Sequence, residues 1–408
     1  MSALKQVFVR VHLRYEQDGY AEDLERFAAW LIATQYQNKN ARRHLCRVQQ
    51  VLHAIGAAPG AVLRADVLER AFARLARRWT RCHTASTYAG YLRSSGRLID
   101  QPPVGNPLSS LVEDFCGRLV RRRGLAASTV TEYRHSVSHF LQQMLQPCQP
   151  LTRLTPRSLE SYIESRSHQV ARSTLLAAVR GIRAFLLDCY NRRVLPERLD
   201  HIDMPRAFRR DLPPRAMPWP LVGHLLQSVD RSGRTGCRDH AILHLLACYG
   251  LRTGEVAQLT LNSIDRDRRT LTVWQSKTYS TLVVPLHDQT LTVLDHYLQA
   301  ARPRTEASWL FLRAAAPLGP MGKSAVSYVF RSRADRIGPP VSQYSAHCLR
   351  HAFAHRLFQQ GVGMKAIGDL MGHRSLVSTS IYLRLQVDAL REVALTVPGH
   401  AEPIGGVA

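Results

Sequence analysis

Six side chains in the last two-fifths of the chain are of types that could act together on a phosphodiester: Arg252, Lys277, His347, Arg350, His373 and Tyr382. A tyrosine hydroxyl can attack phosphorus, arginines can neutralise charge on the non-bridging oxygens, and a lysine or histidine can protonate the leaving oxygen. The set is positive, with one nucleophile and no carboxylate pair. No D-x-D or Glu/Asp cluster appears that would hold two Mg²⁺ ions, which disfavours metal-assisted phosphoryl transfer. No G-x-x-x-x-G-K-[ST] loop appears either, which disfavours ATP hydrolysis. Singly, each residue has a structural reading. Tyr382 can be a packing tyrosine, Arg252 a helix cap after a glycine, His347 an N-terminal hydrogen bonder, and Lys277 a solvated turn residue. Their ordered coincidence points to metal-free, covalent phosphodiester chemistry that needs no cofactor.

The elements that must position them are legible in the hydrophobic pattern. Asp239 to Tyr249 patterns as an apolar helix closed by Gly250, which sets Arg252 at a corner before a helix from Glu255 to Leu261. Arg269–Trp274 alternates as a strand and Thr281–Leu286 as its partner, so Lys277 stands at the tip of a hairpin. Helices follow around Thr290–Ala300, Lys323–Arg336, Leu349–Gln360, Met364–Leu370 and Val377–Leu383. His347 and Arg350, three apart at a helix start, share one face. His373 follows Gly372, and Tyr382 lies nine residues beyond it. His351 and His355 read either as packing residues or as supports standing behind the reacting ones.

A length of 408 residues corresponds to two or three domains. With 45% hydrophobic and 21% charged residues, wholesale disorder is excluded. Lys+Arg 55 against Asp+Glu 31 gives a net charge of +24, which predicts a polyanionic partner, nucleic acid before membrane. Only five of the basic residues are lysines; the rest are arginines, whose fork suits bidentate phosphate contact. The eight cysteines form no C-x-x-C pair, so neither zinc nor a disulfide framework is signalled. The opening MSALKQVFVRVHLRYEQDGY is broken by charge, and apolar runs such as Ala241–Leu251 are too short for a bilayer. A soluble, cytoplasmic, thiol-reduced protein is expected.

Two proline-bearing stretches, Gly96–Ser110 and Asp203–Pro220, read as linkers. The expected pieces are an extra N-terminal helical domain (1–100), a second helical domain (107–202), a linker (203–220), the domain carrying the six residues (221–385) and an amphipathic tail (386–408). The expected fold is mainly α, with a small β-hairpin or sheet in the C-terminal domain. In the second piece one helix runs from Leu111 to Gly124, and a second opens at Ser128 as N-cap. A third starts at Thr155. The fourth, Ser173–Tyr190, turns Leu175, Val179, Ile182, Phe185 and Leu186 inward and leaves Arg180 and Arg183 outside. The run Arg121–Arg123 reads either as a solvated helix end or as a DNA contact. The first piece repeats the layout of the second: Leu24-Glu25-Arg26-Phe27 parallels Val112-Glu113-Asp114-Phe115, Arg43-His44 parallels Arg134-His135, Leu68-Glu69 parallels Leu159-Glu160, and Ser86-Thr87 parallels Ser173-Thr174.

The C-terminal domain resembles the catalytic domain of the tyrosine recombinases, the phage-integrase family that includes the Xer-type resolvases. The strings are CYGLRTGEVAQL, QSKTYSTLVVPL, SAHCLRHAFAHRL and LMGHRSLVSTSIY, in family order and spacing. Residues 107–200 resemble the family's helical, SAM-like core-binding domain, with RSTLLAAVRGIRAFL similar to its DNA-facing fourth helix. The resemblance implies Tyr382 as the nucleophile that forms a 3′-phosphotyrosyl link, and Arg252 and Arg350 as the phosphate clamp. It implies Lys277 as the acid for the 5′-oxygen, His347 as acid or base, and His373 as a hydrogen bonder to a non-bridging oxygen. Glu255 matches an acidic position that orients rather than reacts. DNA contacts are expected from Thr129, Arg134, Arg172, Arg180 and Arg183. No metal or cofactor is implied. The implied partners are double-stranded DNA, three further copies in a homo-tetramer on two synapsed sites, and other recombinases of the same mobile element. The implied product path runs through a Holliday junction.

Ser280 stands where many relatives carry a second hairpin lysine, and Arg384 where they often have a basic or histidine residue. Two alternatives stay open: a DNA-binding accessory protein that has lost the reaction, and a type IB topoisomerase-like relaxing enzyme. A His/Arg phosphatase is excluded because Arg350-His351 sits inside a helix instead of after a strand.

Overall fold

A computed structural model of the chain describes residues 2–8, 12–76, 83–99, 107–146, 149–204, 215–314, 316–373 and 379. Two short helices, α1 (Ala3–Val7) and α2 (His12–Glu16), precede α3 (Ala21–Ala33) and α4 (Asn38–Ile55). The strand β1 (Leu63–Arg64), helices α5 (Ala65–Ala76) and α6 (Thr84–Ser94), and β2 (Leu98–Ile99) follow, with β1 and β2 paired in parallel. Next come α7 (Pro107–Arg123), α8 (Ala127–Met144), α9 (Pro156–Ser167) and α10 (Arg172–Asn191). The chain falls into two compact units, residues 46–209 and residues 1–45 together with 210–408, so the division runs through α4. No described helix is long and apolar enough to cross a membrane.

In the first of these units, α7, α8 and α10 meet over a common apolar core. Phe115 and Phe185 pack edge to face at 5.4 Å, as do Phe140 and Tyr162 at 5.1 Å. Full burial of such side chains stabilises by about 1.5–3 kcal/mol each. The Arg118 guanidinium donates twice to Asp188, at 3.0 and 2.6 Å, and ties α7 to α10. The cap of α9 is reciprocal: Ser158 N donates to Thr155 Oγ1 at 3.2 Å and Thr155 N to Ser158 Oγ at 2.9 Å.

Several boundaries differ from the sequence expectation: the helix expected from Asp239 opens at Arg234, and the one expected to run to Leu261 closes at Gln258. Pro107, assigned to a linker, opens α7, and Trp219 with Pro220 opens the helix after the second linker. A proline's fixed φ suits the first helical turn, where its missing N–H costs nothing, so these prolines start helices. Ser128 lies inside the first turn of α8, and Ala126 occupies the N-cap with no side-chain hydrogen bond.

Burial along the N-terminal helices repeats that of α7–α9 in register. Leu24, Phe27, Ala28 and Leu31 of α3 are buried, as are Val112, Phe115, Cys116 and Leu119 of α7, 88 positions on. Helices α4 and α8 are both 18 residues long and lie 89 apart, with Ala41, Val48, Val51 and Leu52 matched by Val130, Val137, Phe140 and Leu141. Helices α5 and α9 are both 12 residues long and lie 91 apart, with Leu68 matched by Leu159.

The other unit carries α11 (Trp219–Gln227), α12 (Arg234–Cys248), α13 (Thr253–Gln258), β3 (Ile264–Asp265), β4 (Thr270–Gln275), β5 (Ser280–Pro285), α14 (Asp288–His296), α15 (Lys323–Ile337), α16 (Ala346–Gln359) and α17 (Met364–Leu370). The protein is thus mainly α with one small antiparallel sheet, ordered β3-β4-β5, as expected. Helix α12 is buried nearly all round, through Ala241, Ile242, Leu243, Leu245 and Leu246, which makes it the centre of this core. Gly250 ends the run at φ +59°. A Cβ there would lie 2.4 Å from a Phe353 ring carbon, so both conformation and space demand glycine. In β4, Leu271, Val273 and Gln275 point inward while Thr272 and Trp274 face out. The expected helix Val377–Leu383 lies outside the described residues except for Thr379.

Candidate active site

Four elements deliver the described candidates to one place. Arg252 sits at the N-cap of α13, Lys277 in the β4–β5 turn, His347 and Arg350 on the first turns of α16, and His373 just after α17. Tyr382, the expected nucleophile, lies outside the described residues.

Arg350 is the keystone, only 3% exposed. Its Nη1 donates to the Gly250 carbonyl at the end of α12, and its Nη2 to the Met371 carbonyl at the end of α17, both at 2.5 Å. Met371 is the C-cap of α17, whose carbonyl needs an outside donor, and Gly250 lies just past the C-cap of α12. The same Nη2 lies 3.4 Å from His373 Nε2. Arginine can only donate, so Nε2 accepts; the proton then belongs on Nδ1, which donates to Thr379 Oγ1 at 2.9 Å.

Glu255, 4% exposed, binds both arginines. Its Oε1 accepts from Arg252 Nη1 at 2.6 Å, its Oε2 from Arg252 N at 2.8 Å, and Oε2 stands 4.0 Å from Arg350 Nη1. One carboxylate therefore spaces two guanidiniums that would otherwise repel. Arg252, whose guanidinium gives one bond to Glu255, has further N–H donors to offer an anion, since a guanidinium has five.

The histidines are kept neutral. His373 is pushed down to about 4, chiefly by burial and then by Arg350 and Arg252. His351, 4.6 Å edge-on from His347, is also pushed to about 4, by burial and then by His347, Arg350 and His373. His347 reaches the surface at one side, yet the partial burial of its ring lowers its pKa, followed by Arg350, Arg252, Lys277 and Lys323. A neutral histidine beside cations can take up a proton, and fixed guanidiniums can hold a phosphoryl group.

Sequence reasoning placed His351 in the packing or behind the reacting groups, and it stands within the electrostatic reach of the cluster. Two neighbours were missed, of which Thr379 holds the ring of His373. Gln275, two residues before Lys277, is 1% exposed and lies against Gly372. Strand alternation alone could have flagged it as an inward polar residue.

The expected DNA contacts fall on two helices of the other unit. Thr129 is in the first turn of α8, where Arg134 is held bidentately by Glu113 at 2.8 and 2.9 Å. Arg172, Arg180 and Arg183 lie along α10, Arg172 and Arg180 exposed and Arg183 half-buried. That unit also contains a cavity of about 720 Å³ lined by Leu159, Ile163, Arg172 and Leu175 among others. None of the five described candidates lines it.

Comparison with known proteins follows these geometric lines. Residues 222–388 match the model of the phage integrase family, and residues 112–188 match that of the phage integrase N-terminal SAM-like domain. The chain is 42% identical over 164 residues to the putative integrase/recombinase y4gC of Sinorhizobium fredii, covering 40% of this chain and 85% of that protein. It is 27% identical over 304 residues to the tyrosine recombinase XerD of Mycobacterium tuberculosis, covering 70% and 96%. The Tn1549 transposon integrase, solved in complex with a circular intermediate DNA, shares the fold at a TM-score of 0.53 and 15% identity, covering 68% of this chain and 99% of that one.

Proposed function

The chain belongs to the phage integrase family, the tyrosine recombinases, and from that premise we propose how its own residues cut and rejoin DNA. It is a site-specific DNA recombinase. The observation that carries the residue assignment is the Arg252–Glu255–Arg350–His373 cluster, drawn from three separate elements onto two helix-end carbonyls.

In this reading the scissile phosphate docks on Arg252 and Arg350, which Glu255 holds apart. The Tyr382 oxygen attacks phosphorus and gives up its proton, with His347 assigned as the base that takes it. The bond from phosphorus to the 5′-oxygen breaks as the tyrosyl–phosphorus bond forms, and Lys277 protonates the departing oxygen. His373 hydrogen-bonds a non-bridging oxygen once its Nε2 has taken up a proton and exchanged its contact with Arg350 for the phosphate. The strand is left with a 3′-phosphotyrosyl end and a free 5′-hydroxyl. Attack by a 5′-hydroxyl, from the same or a second duplex, reverses these steps, and the stored phosphoester bond supplies the energy. A nicked suicide substrate from DNA flanking the gene, incubated without metal, tests this. Wild type is expected to give a protease-sensitive 3′-adduct and Tyr382→Phe none; an adduct that persists in Tyr382→Phe refutes the assignment.

The same reading assigns residues 107–202 as a core-binding domain whose Thr129, Arg134, Arg172, Arg180 and Arg183 touch DNA. The in-register burial of α3–α5 and α7–α9 supports the N-terminal piece as a repeat of it. Recombination is assigned to a homo-tetramer on two sites through a Holliday junction, joined where required by other recombinases of the same element, in the compartment that holds the DNA. The tail 386–408 is assigned to docking on a neighbouring copy. Its deletion is expected to leave DNA binding and abolish recombination; unchanged recombination removes that role.

A further inference from the structure

We propose that Gln275 is a positioning residue that sets the Lys277 turn against the backbone leading into His373, and so aims the leaving-group acid at the clamped phosphate. The proposal rests on the reading of Lys277 as that acid.

Gln275 is the last residue of β4 and pairs across the hairpin with Ser280, so residues 276–279 form the turn that carries Lys277. Hydrogen bonds among Gln275, Thr278 and Ser280 knit this turn. Thr278 N donates to the Gln275 carbonyl at 3.2 Å, Thr278 Oγ1 donates to Gln275 Oε1 at 3.1 Å, and the Thr278 and Ser280 hydroxyls meet at 2.8 Å. Tyr279 completes the turn at φ +49°, a left-handed conformation that a tyrosine adopts only when its surroundings enforce it. Lys277, itself exposed, is thus held by its neighbours and not by its own side chain.

The other end of the Gln275 amide lies on Gly372. A Cβ at that position would stand 1.9 Å from Gln275 Oε1 and 2.2 Å from Nε2, so the amide fills the space that any other residue's side chain would need. Gly372 joins Met371, whose carbonyl anchors Arg350, to His373. The amide therefore bridges the acid-bearing turn and the phosphate-clamping backbone. Gln275 Nε2 is buried with no hydrogen-bond partner among the described residues. An unpaired buried donor costs about 1–3 kcal/mol. The amide is thus set by two duties, with Oε1 holding the turn through Thr278 while the group as a whole fills the space at Gly372.

The test uses the full chain, single-turnover cleavage, and two substrates that differ in one atom. One has the ordinary 5′-oxygen; the other has a bridging 5′-sulfur, a leaving group that departs without a proton. Gln275→Met keeps the volume and removes the amide. It is expected to cleave the oxygen substrate about 10–100-fold more slowly, the loss typical of a misplacement near 1 Å. It should cleave the sulfur substrate at close to the wild-type rate, with unchanged DNA affinity and thermal unfolding. Thr278→Val, on the partly exposed turn, should show the same selective loss in milder form and stands in if Gln275→Met folds poorly. Lys277→Ala is the control. Equal losses on both substrates in the Gln275 and Thr278 variants, with Lys277→Ala rescued by sulfur, overturn the positioning role and leave the reaction assignment standing. If sulfur does not rescue Lys277→Ala, the acid is misassigned and the positioning role falls with it.

Discussion

Replacing Glu255 by glutamine isolates what the carboxylate does in the cluster. The shape is kept, and the amide oxygen can still accept from Arg252 N. Lost are the charge-assisted bond to Arg252 Nη1, 2.6 Å, and the attraction to Arg350 at 4.0 Å. A hydrogen bond to a charged group contributes about 1.5–3 kcal/mol net, so a loss near 2 kcal/mol is expected. For a unit of this size that is a drop of about 4–8 °C in unfolding temperature. At neutral pH the cluster carries Arg252, Arg350 and Lys277 against one carboxylate, with His373 neutral at about 4. Removing the carboxylate makes it more positive, so DNA affinity should hold or rise while stability falls. Saturating target DNA should narrow the stability gap, because the phosphate replaces the lost anion and binding stabilises the folded form. Cleavage should slow about 10–100-fold, since two guanidiniums lose their common anchor. Differential scanning of free and DNA-bound protein, with filter binding and single-turnover cleavage, reads all three. An unchanged unfolding temperature in the free protein, or weakened DNA binding with unchanged stability, refutes the anchoring argument.

Three further outcomes follow from the same structure. His240, His244, His351 and His373 are each pushed from 6.5 to about 4, first by burial, so the unfolded chain binds more protons between those values. Stability should therefore fall as pH drops through 6.5 towards 4, by up to about 1.4 kcal/mol per pH unit per histidine; urea midpoints that stay level from pH 7 to 5 contradict this. Gly250→Ala should destabilise by about 1–3 kcal/mol, because φ is +59° and Phe353 occupies the space, whereas Gly254→Ala meets nothing within 4 Å; equal melting temperatures for the two variants count against the account. Neutralising Arg180 and Arg183 to glutamine should reduce the slope of log affinity against log salt by about 2, without changing sequence preference, as phosphate contacts do; a shifted base preference would place them on base edges instead.

Much of the site was readable from residue type and order. Arg252, His347, Arg350 and His373 are distinguished by their spacing and by the glycines that precede two of them, and local punctuation by Gly250 and Gly372 already ended the right helices. The strand pair was legible to within a residue, because period-two alternation is a property of neighbours in sequence. Boundaries at Pro107 and Trp219 were misjudged because proline signals both the end of one element and the first turn of the next, and Ser128 because a good capping residue can also sit inside the first turn.

What the chain order alone could not decide is the set of partners that touch across long separations. Arg350 bonds a carbonyl 100 residues away, and the Gln275 amide occupies the place of a missing side chain 97 positions later. Neither contact leaves a periodic trace, since each depends on two backbones arriving at one point in space. Sequence by itself determined which groups could do the chemistry and which local elements carry them. Tertiary packing decided that one buried carboxylate spaces the arginines, that helix-end carbonyls aim them, and that burial holds the histidines neutral. These are effects of distance and desolvation, which exist only once the chain has folded.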